Sequence, residues 1–153
     1  MSLYEVRTLP DPCLRQRAES ATAIGVRERR VLARMAETMY NAHGIGLAAP
    51  QVGISERLIV IDIGEGLLKL VNPEVVHEEG ESVLEEGCLS VPGVIIAVER
   101  PEKVCVRGFD QTGVPVELEA EGLLARVLQH EINHLDGVLI IDHGDEEEGR
   151  LSS

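Results

Sequence analysis

Two histidines and a glutamate stand close together late in the chain, in His130-Glu131-Ile132-Asn133-His134. In a helix, a turn of about 100° per residue brings the two imidazoles within about 40° of each other, on the stripe that also carries Leu123 and Val127. Both rings can then reach one metal ion from one apolar face. Glu131 falls roughly 100° round from His130, beside the ion, where a carboxylate can handle the proton of a metal-bound water. Arg126, Gln129, Asn133 and Asp136 are assigned to the opposite, polar side. In this composition a His-Glu-x-x-His string is expected by chance only roughly 0.02 times, so its presence points to metal chemistry.

A catalytic ion of this type takes three protein ligands and leaves a position open for water, so one ligand must come from elsewhere. One metalloprotease pattern continues to a glycine and a third histidine; Gly137 fits it, but Ile140 stands where that histidine belongs. A downstream glutamate is cramped, since Glu146, Glu147 and Glu148 lie in the acidic end. Upstream remain His43, His77, Cys13, Cys88 and Cys105. Cys88 lies in residues 85–93, whose glycines and proline read as a turn-rich arm able to present a thiol. A thiolate with two imidazoles suits Fe2+, Zn2+, Ni2+ or Co2+ better than Mg2+ or Ca2+. Cys13 and Cys105 have no such setting and read as ordinary core or surface residues. A second stretch, Gly44-Ile45-Gly46-Leu47-Ala48-Ala49-Pro50-Gln51, lets backbone approach a ligand closely, and Gln51 offers an amide donor of the kind that steadies an oxyanion.

These groups need a scaffold. Apolar residues recur at three- and four-residue steps over 27–40, which predicts an amphipathic helix ending near Gly44. Residues 57–63 and 67–71 are short Ile, Leu and Val runs, punctuated by Gly64, Gly66 and Asn72-Pro73, and read as strands. Alternation around Asp110-Gln111-Thr112-Gly113 predicts a β-hairpin. A second helix is predicted over 122–136, with Gly137 as its left-handed stop. Helices and strands do not alternate regularly, so the fold class is α+β: short, mainly antiparallel sheets packed around the late helix, with one earlier amphipathic helix.

The 153 residues, 44% hydrophobic and 27% charged, suit one domain, expected over 1–143, followed by an acidic, flexible tail over 144–153. Tyr4, Tyr40 and Phe109 are the aromatic residues, so the core must be aliphatic. Net charge is −13, the wrong sign for holding a nucleic-acid backbone. The longest aliphatic run, 94–98, is far short of the roughly 20 residues of a membrane span. An acidic start without an apolar core and an odd number of cysteines lead to the expectation of a cytoplasmic protein.

Taken together, Gly44-Ile45-Gly46-Leu47-Ala48-Ala49-Pro50-Gln51, Glu86-Gly87-Cys88-Leu89-Ser90 and Gln129-His130-Glu131-Ile132-Asn133-His134 resemble, in order, the three signature motifs of the peptide deformylase family. The resemblance runs from Leu9-Pro10-Asp11-Pro12 to Ile141-Asp142. It implies a metal held by Cys88, His130 and His134 with water in the fourth position, Fe2+ being usual and Zn2+, Ni2+ or Co2+ able to replace it. It further implies that Glu131 acts as general base and then acid while the water attacks the formyl carbonyl of N-formylmethionyl nascent peptides, releasing formate. The oxyanion would be held by the metal, the Gln51 amide and the Leu89 backbone N–H. Ile45 and Gly46 would pair with the peptide backbone, and Leu123, Val127 and the His130 ring would line a methionine pocket. Asn133 stands where many relatives carry Asp, for which a modest effect on the neighbouring ligand is expected. An acidic end replaces the long basic C-terminal helix of some bacterial members, so ribosome proximity, if any, is expected to be transient.

Overall fold

The computed structural model describes residues 2–143; the acidic segment 144–153 lies outside the described residues. Helix α1 spans Val26–Asn41, and its periodic positions Val31, Leu32, Met35, Ala36 and Met39 are all buried. Its end falls just before Gly44, as expected. The left-handed residue is His43 (φ 59°), and the N–H groups of His43 and Gly44 donate to the carbonyls of Tyr40 and Met39, each at 3.0 Å. This satisfies the last carbonyls of the helix and spends the Gly44 N–H.

Five strands form an antiparallel sheet in the order β1 (Gly46–Ala48), β2 (Leu58–Ile61), β3 (Leu68–Glu79), β6 (Lys103–Phe109), β7 (Pro115–Glu121). Strand β2 is buried at every position because both faces of the sheet are covered there. Leu58 and Val60 pack with α1 residues, whereas Ile59 and Ile61 pack with Ala125, Leu128 and Leu135 of helix α2 (Gly122–Leu135). The expected break at Asn72-Pro73 is instead a bulge inside β3. Asn72 adopts φ 52°, the register shifts between Val71 and Glu74, and the Asn72 amide is held by both backbone groups of Ala21. The predicted β6–β7 hairpin is present, its turn closed by the Asp110 carboxylate accepting from the N–H groups of Thr112 and Val114.

A correction concerns residues 85–93. The turn-rich arm read there is largely strand, part of a separate two-stranded sheet, β4 (Ser82–Cys88) and β5 (Val91–Arg100), with Leu89 and Ser90 at its tip. A register shift between Glu86 and Cys88 absorbs the glycine, and alternation buries Ile96, Val98 and Arg100 while Ile95 faces out. Short 3-10 turns at Pro12–Arg15, Ala49–Val52 and Ile140–Asp142 complete the fold. Among the described residues no helix is long and apolar enough to cross a membrane.

Helix α2 stops as predicted. Gly137 takes φ 75° and the N–H groups of Gly137 and Val138 return to the carbonyls of His134 and Asn133. A Cβ at Gly137 would stand 2.5 Å from the Arg15 carbonyl oxygen, so this turn is held by close approach as well as by backbone conformation. Gly137→Ala is therefore expected to lower the unfolding free energy by about 2 kcal/mol or more in urea titrations, and a change below about 0.5 kcal/mol would contradict this account.

Candidate functional site

Helix α2 carries His130 and His134 one turn apart, with ring centroids 5.0 Å from each other. Cys88, the last residue of β4, brings its Sγ to 3.3 Å from His134 Nε2. One ligand atom from each of Cys88, His130 and His134 lies within 4.8 Å of the other two. Among the described residues no other group of three metal-ligating side chains converges, and His43 and His77 belong to no such group.

His130 is oriented from behind. Its Nδ1 lies 2.9 Å from Glu86 Oε1, so it donates its proton to that carboxylate and leaves Nε2 for an ion. Glu86 is itself clamped by Arg100, through Nε at 2.6 Å and Nη2 at 2.9 Å, and by Arg126 Nη1 at 2.6 Å. All three side chains are buried. Burial alone would raise the Glu86 carboxyl, but the hydrogen bonds from His130 and Arg100 outweigh it and hold the group well below the usual carboxylate range.

This arrangement corrects the expected polar side of α2. Arg126 and Gln129 are buried, 5% and 7% exposed, because the β4–β5 hairpin and Pro101 cover that face. Arg126 also donates to the carbonyls of Val98 and Ser82, and Gln129 to those of Pro101 and Ala125, so neither is left unpaired. Asn133 accepts from Arg100 at 2.7 Å and lies 2.9 Å from His143 Nε2.

Glu131 is buried, and its Oε1 has no hydrogen-bond partner among the described residues. Its neighbour is Gly46, where a Cβ would stand 2.5 Å from Glu131 Oε2, so only glycine fits. Burial pushes the Glu131 carboxyl up to about 7 against the pull of His130 and Arg100. A base with that value is matched to proton transfer near neutrality. Burial also drives His134 well below its ordinary value, with the positive charge of His130 and Arg100 adding to it, which keeps a lone pair available. Burial would lower His130 as well, but Cys88 and Glu86 beside it raise it to about 10, so its Nε2 carries a proton that an arriving cation must displace. The set fits a transition ion: one sulfur and two imidazoles converge next to a buried carboxylate oxygen that no described residue satisfies.

Gln51 is 1% exposed and fixed at both ends of its amide. Its Oε1 accepts from the Ala48 N–H at 2.9 Å, while Nε2 donates to Ser90 Oγ at 3.1 Å and lies 3.8 Å from Cys88 Sγ. Ile45, Gly46, Gln51, Cys88, Leu89, Leu123, Val127, His130 and Glu131 all line one cleft of about 570 Å³. His134 is the predicted site residue that does not, being 1% exposed behind it.

Residues 3–150 match the profile of the family described as polypeptide deformylase. The chain belongs to this family. It is 53% identical over 152 residues to a peptide deformylase of Thermoanaerobacter pseudethanolicus, covering 97% of this chain and 96% of that one. Its fold superposes on the crystal structure of a peptide deformylase from Legionella pneumophila with a TM-score of 0.94, at 43% identity and 99% and 91% coverage of the two chains. Against the peptide deformylase of Thermotoga maritima the TM-score is 0.93, at 44% identity and 95% and 99% coverage. Deformylases are metallohydrolases, and the α+β fold with its late helix is theirs.

Sequence reasoning gave no role to Glu86, Arg100, Arg126 or Ser90. A signal for Arg126 was present: it precedes His130 by four residues, which puts the two on one helix face. No local signal marks Arg100, which is brought in by strand pairing.

Glu86→Gln is expected to raise the metal dissociation constant about 10- to 100-fold in chelator competition, by loosening His130. The held-low Glu86 carboxyl contributes stability that is fully present above the ordinary glutamate value of 4.5 and is lost as pH falls through its depressed value. The variant should therefore unfold more easily than the parent at pH 7, with the gap closing below about pH 4. An equal gap at pH 7 and pH 3 would rule this out.

Proposed function

We propose that the chain hydrolyses the N-terminal formyl group of N-formylmethionyl nascent peptides to formate and a free amine. The observation that carries this reading is the buried Glu131 carboxylate, whose Oε1 has no partner among the described residues, beside Cys88, His130 and His134 in a cleft flanked by the edge strand β1. A divalent ion on Cys88, His130 and His134, Fe2+ by family resemblance with Zn2+, Ni2+ or Co2+ as substitutes, would supply Lewis acidity and an activated water. Glu131 accepts the proton of the attacking water and passes it to the departing amine nitrogen. The Gln51 Nε2 group, held toward Cys88 by the fixed amide, and the Leu89 backbone N–H donate to the developing oxyanion. Leu123, Val127 and the ring of His130 receive the methionine side chain.

Strand β1 supports an added peptide strand of limited length. The Ile45 carbonyl accepts from the Asp62 N–H, so Gly46 and Ile61 form the non-bonded type of antiparallel pair and the Gly46 N–H and C=O point away from β2. With the Ile45 carbonyl turned to β2 and the Gly44 N–H spent on α1, the edge offers Gly46 and the Gly44 carbonyl rather than the expected Ile45 and Gly46 pair, enough for about three substrate residues. On this reading residues 1–143 are the catalytic unit, working in the cytoplasm on chains emerging from ribosomes.

The test is formate release from a formyl-methionyl tripeptide, run anaerobically on protein loaded with Fe2+ or Ni2+. Glu131→Gln should retain the metal and lose about 10²- to 10⁴-fold of turnover. Undiminished turnover would remove Glu131 as the base. Internal cleavage of unformylated peptides, with no formate from formylated ones, would turn the reading toward an endopeptidase.

A further inference from the structure

The buried network behind His130 does not balance its charges. Arg100 and Arg126 share the single carboxylate of Glu86. Their remaining donors meet neutral partners: Arg126 reaches the carbonyls of Val98 and Ser82 and the Ser82 hydroxyl, and Arg100 Nη1 donates to Asn133 Oδ1 at 2.7 Å. Each guanidinium nitrogen of Arg100 thus has an acceptor, yet one positive charge has no counter-charge within this network. Arg100 lies close enough for its charge to act on both His134 and Glu131. Asn133 stands where a counter-charge is missing, one residue before His134. Its Oδ1 faces Arg100 on one side, and on the other it lies 2.9 Å from His143 Nε2 of the C-terminal turn. An oxygen set between two such nitrogens is a place that a carboxylate would fill with the same shape, and this chain fills it with an amide.

We propose that Asn133 is a positioning residue of the metal centre: its neutral amide holds Arg100 on Glu86 without cancelling the arginine's charge, and so sets the site to bind a divalent ion more loosely than a carboxylate at 133 would. This rests on the reading of Cys88, His130 and His134 as the ligands of that ion. Two effects run in the same direction. An uncompensated cation beside the site opposes the arrival of a second one. Arg100, with no other anion to attend, also keeps its charge on Glu86, which makes that carboxylate a weaker acceptor for the His130 Nδ1 proton and His130 a weaker electron donor. A carboxylate at 133 would relieve both.

The test is the Zn2+ dissociation constant, read by chelator competition at about pH 8, where an exposed histidine such as His143 carries no charge. Asn133→Asp keeps the size and the acceptor and adds only charge; it is expected to bind Zn2+ about three- to tenfold more tightly than the parent. Asn133→Ala drops the acceptor, frees Arg100 to turn, and should bind more weakly than either. Gln111→Glu, the same amide-to-carboxylate change in the β6–β7 turn outside the cleft, should leave the constant unchanged. If Asn133 served only as a hydrogen-bond acceptor, the alanine variant alone would differ and Asn and Asp would bind equally. That result, or looser binding by Asn133→Asp, overturns the proposal, as does equal tightening by Gln111→Glu, which would reduce the effect to net charge. A parent whose Zn2+ affinity is not lowered by Cys88→Ser would overturn the ligand reading, and this proposal with it.

Discussion

A carboxylate taken out of water between two guanidinium groups sets the geometry of this protein. Glu86 meets Arg100 from β5, Arg126 from α2 and His130 from the next turn of that helix, so its one pair of oxygens ties β4 to two other segments. Desolvating three charges is costly, and the cost is offset only because nearly every donor has an acceptor of good geometry. Removing the carboxylate would strand two buried cations. The hairpin bearing Cys88 and the helix bearing both histidines are therefore located by the same interaction that orients His130.

The large sheet contributes differently. Strand β2 is covered by α1 on one face and α2 on the other, which makes it the rigid middle of the molecule. Because β1 is the last strand on that side, its outer edge is presented toward the cleft at a fixed height above α2. Gly46 is where edge and helix come closest, since any side chain there would occupy the space of the Glu131 carboxylate. The unsatisfied oxygen of Glu131 and the free backbone groups of Gly46 thus share one small volume, lined by Cys88 and His130.

What could be read from sequence follows the range of the interactions involved. His130, Glu131 and His134 are one helical turn, and the stops at Gly137 and near Gly44 obey local backbone rules, so both were legible. The aliphatic run of β2 announced a strand but not that both faces are covered, which depends on two helices arriving from opposite ends of the chain. Asn72-Pro73 looked like an end because a bulge and a turn use the same residue types; what distinguishes them is the partner strand β6. Arg126 and Gln129 were assigned to solvent because polarity alone says nothing of a hairpin that covers them. Glu86 and Arg100 lie 14 residues apart on paired strands, Glu86 opposite Ile96 and Arg100 opposite Ser82, so they meet only because the long arginine side chain reaches along the hairpin.

The β4–β5 hairpin shares no ladder with the five-stranded sheet, and it is this separate piece that contributes the sulfur while the helix contributes both imidazoles. An ion held by the three is consequently a cross-link between two bodies, joining positions 46 residues apart from Cys88 to His134. In the chain-entropy picture used for disulfides, closing a loop of that length restrains the unfolded chain by about 4 kcal/mol, so an ion held there would brace the fold as well as supply chemistry.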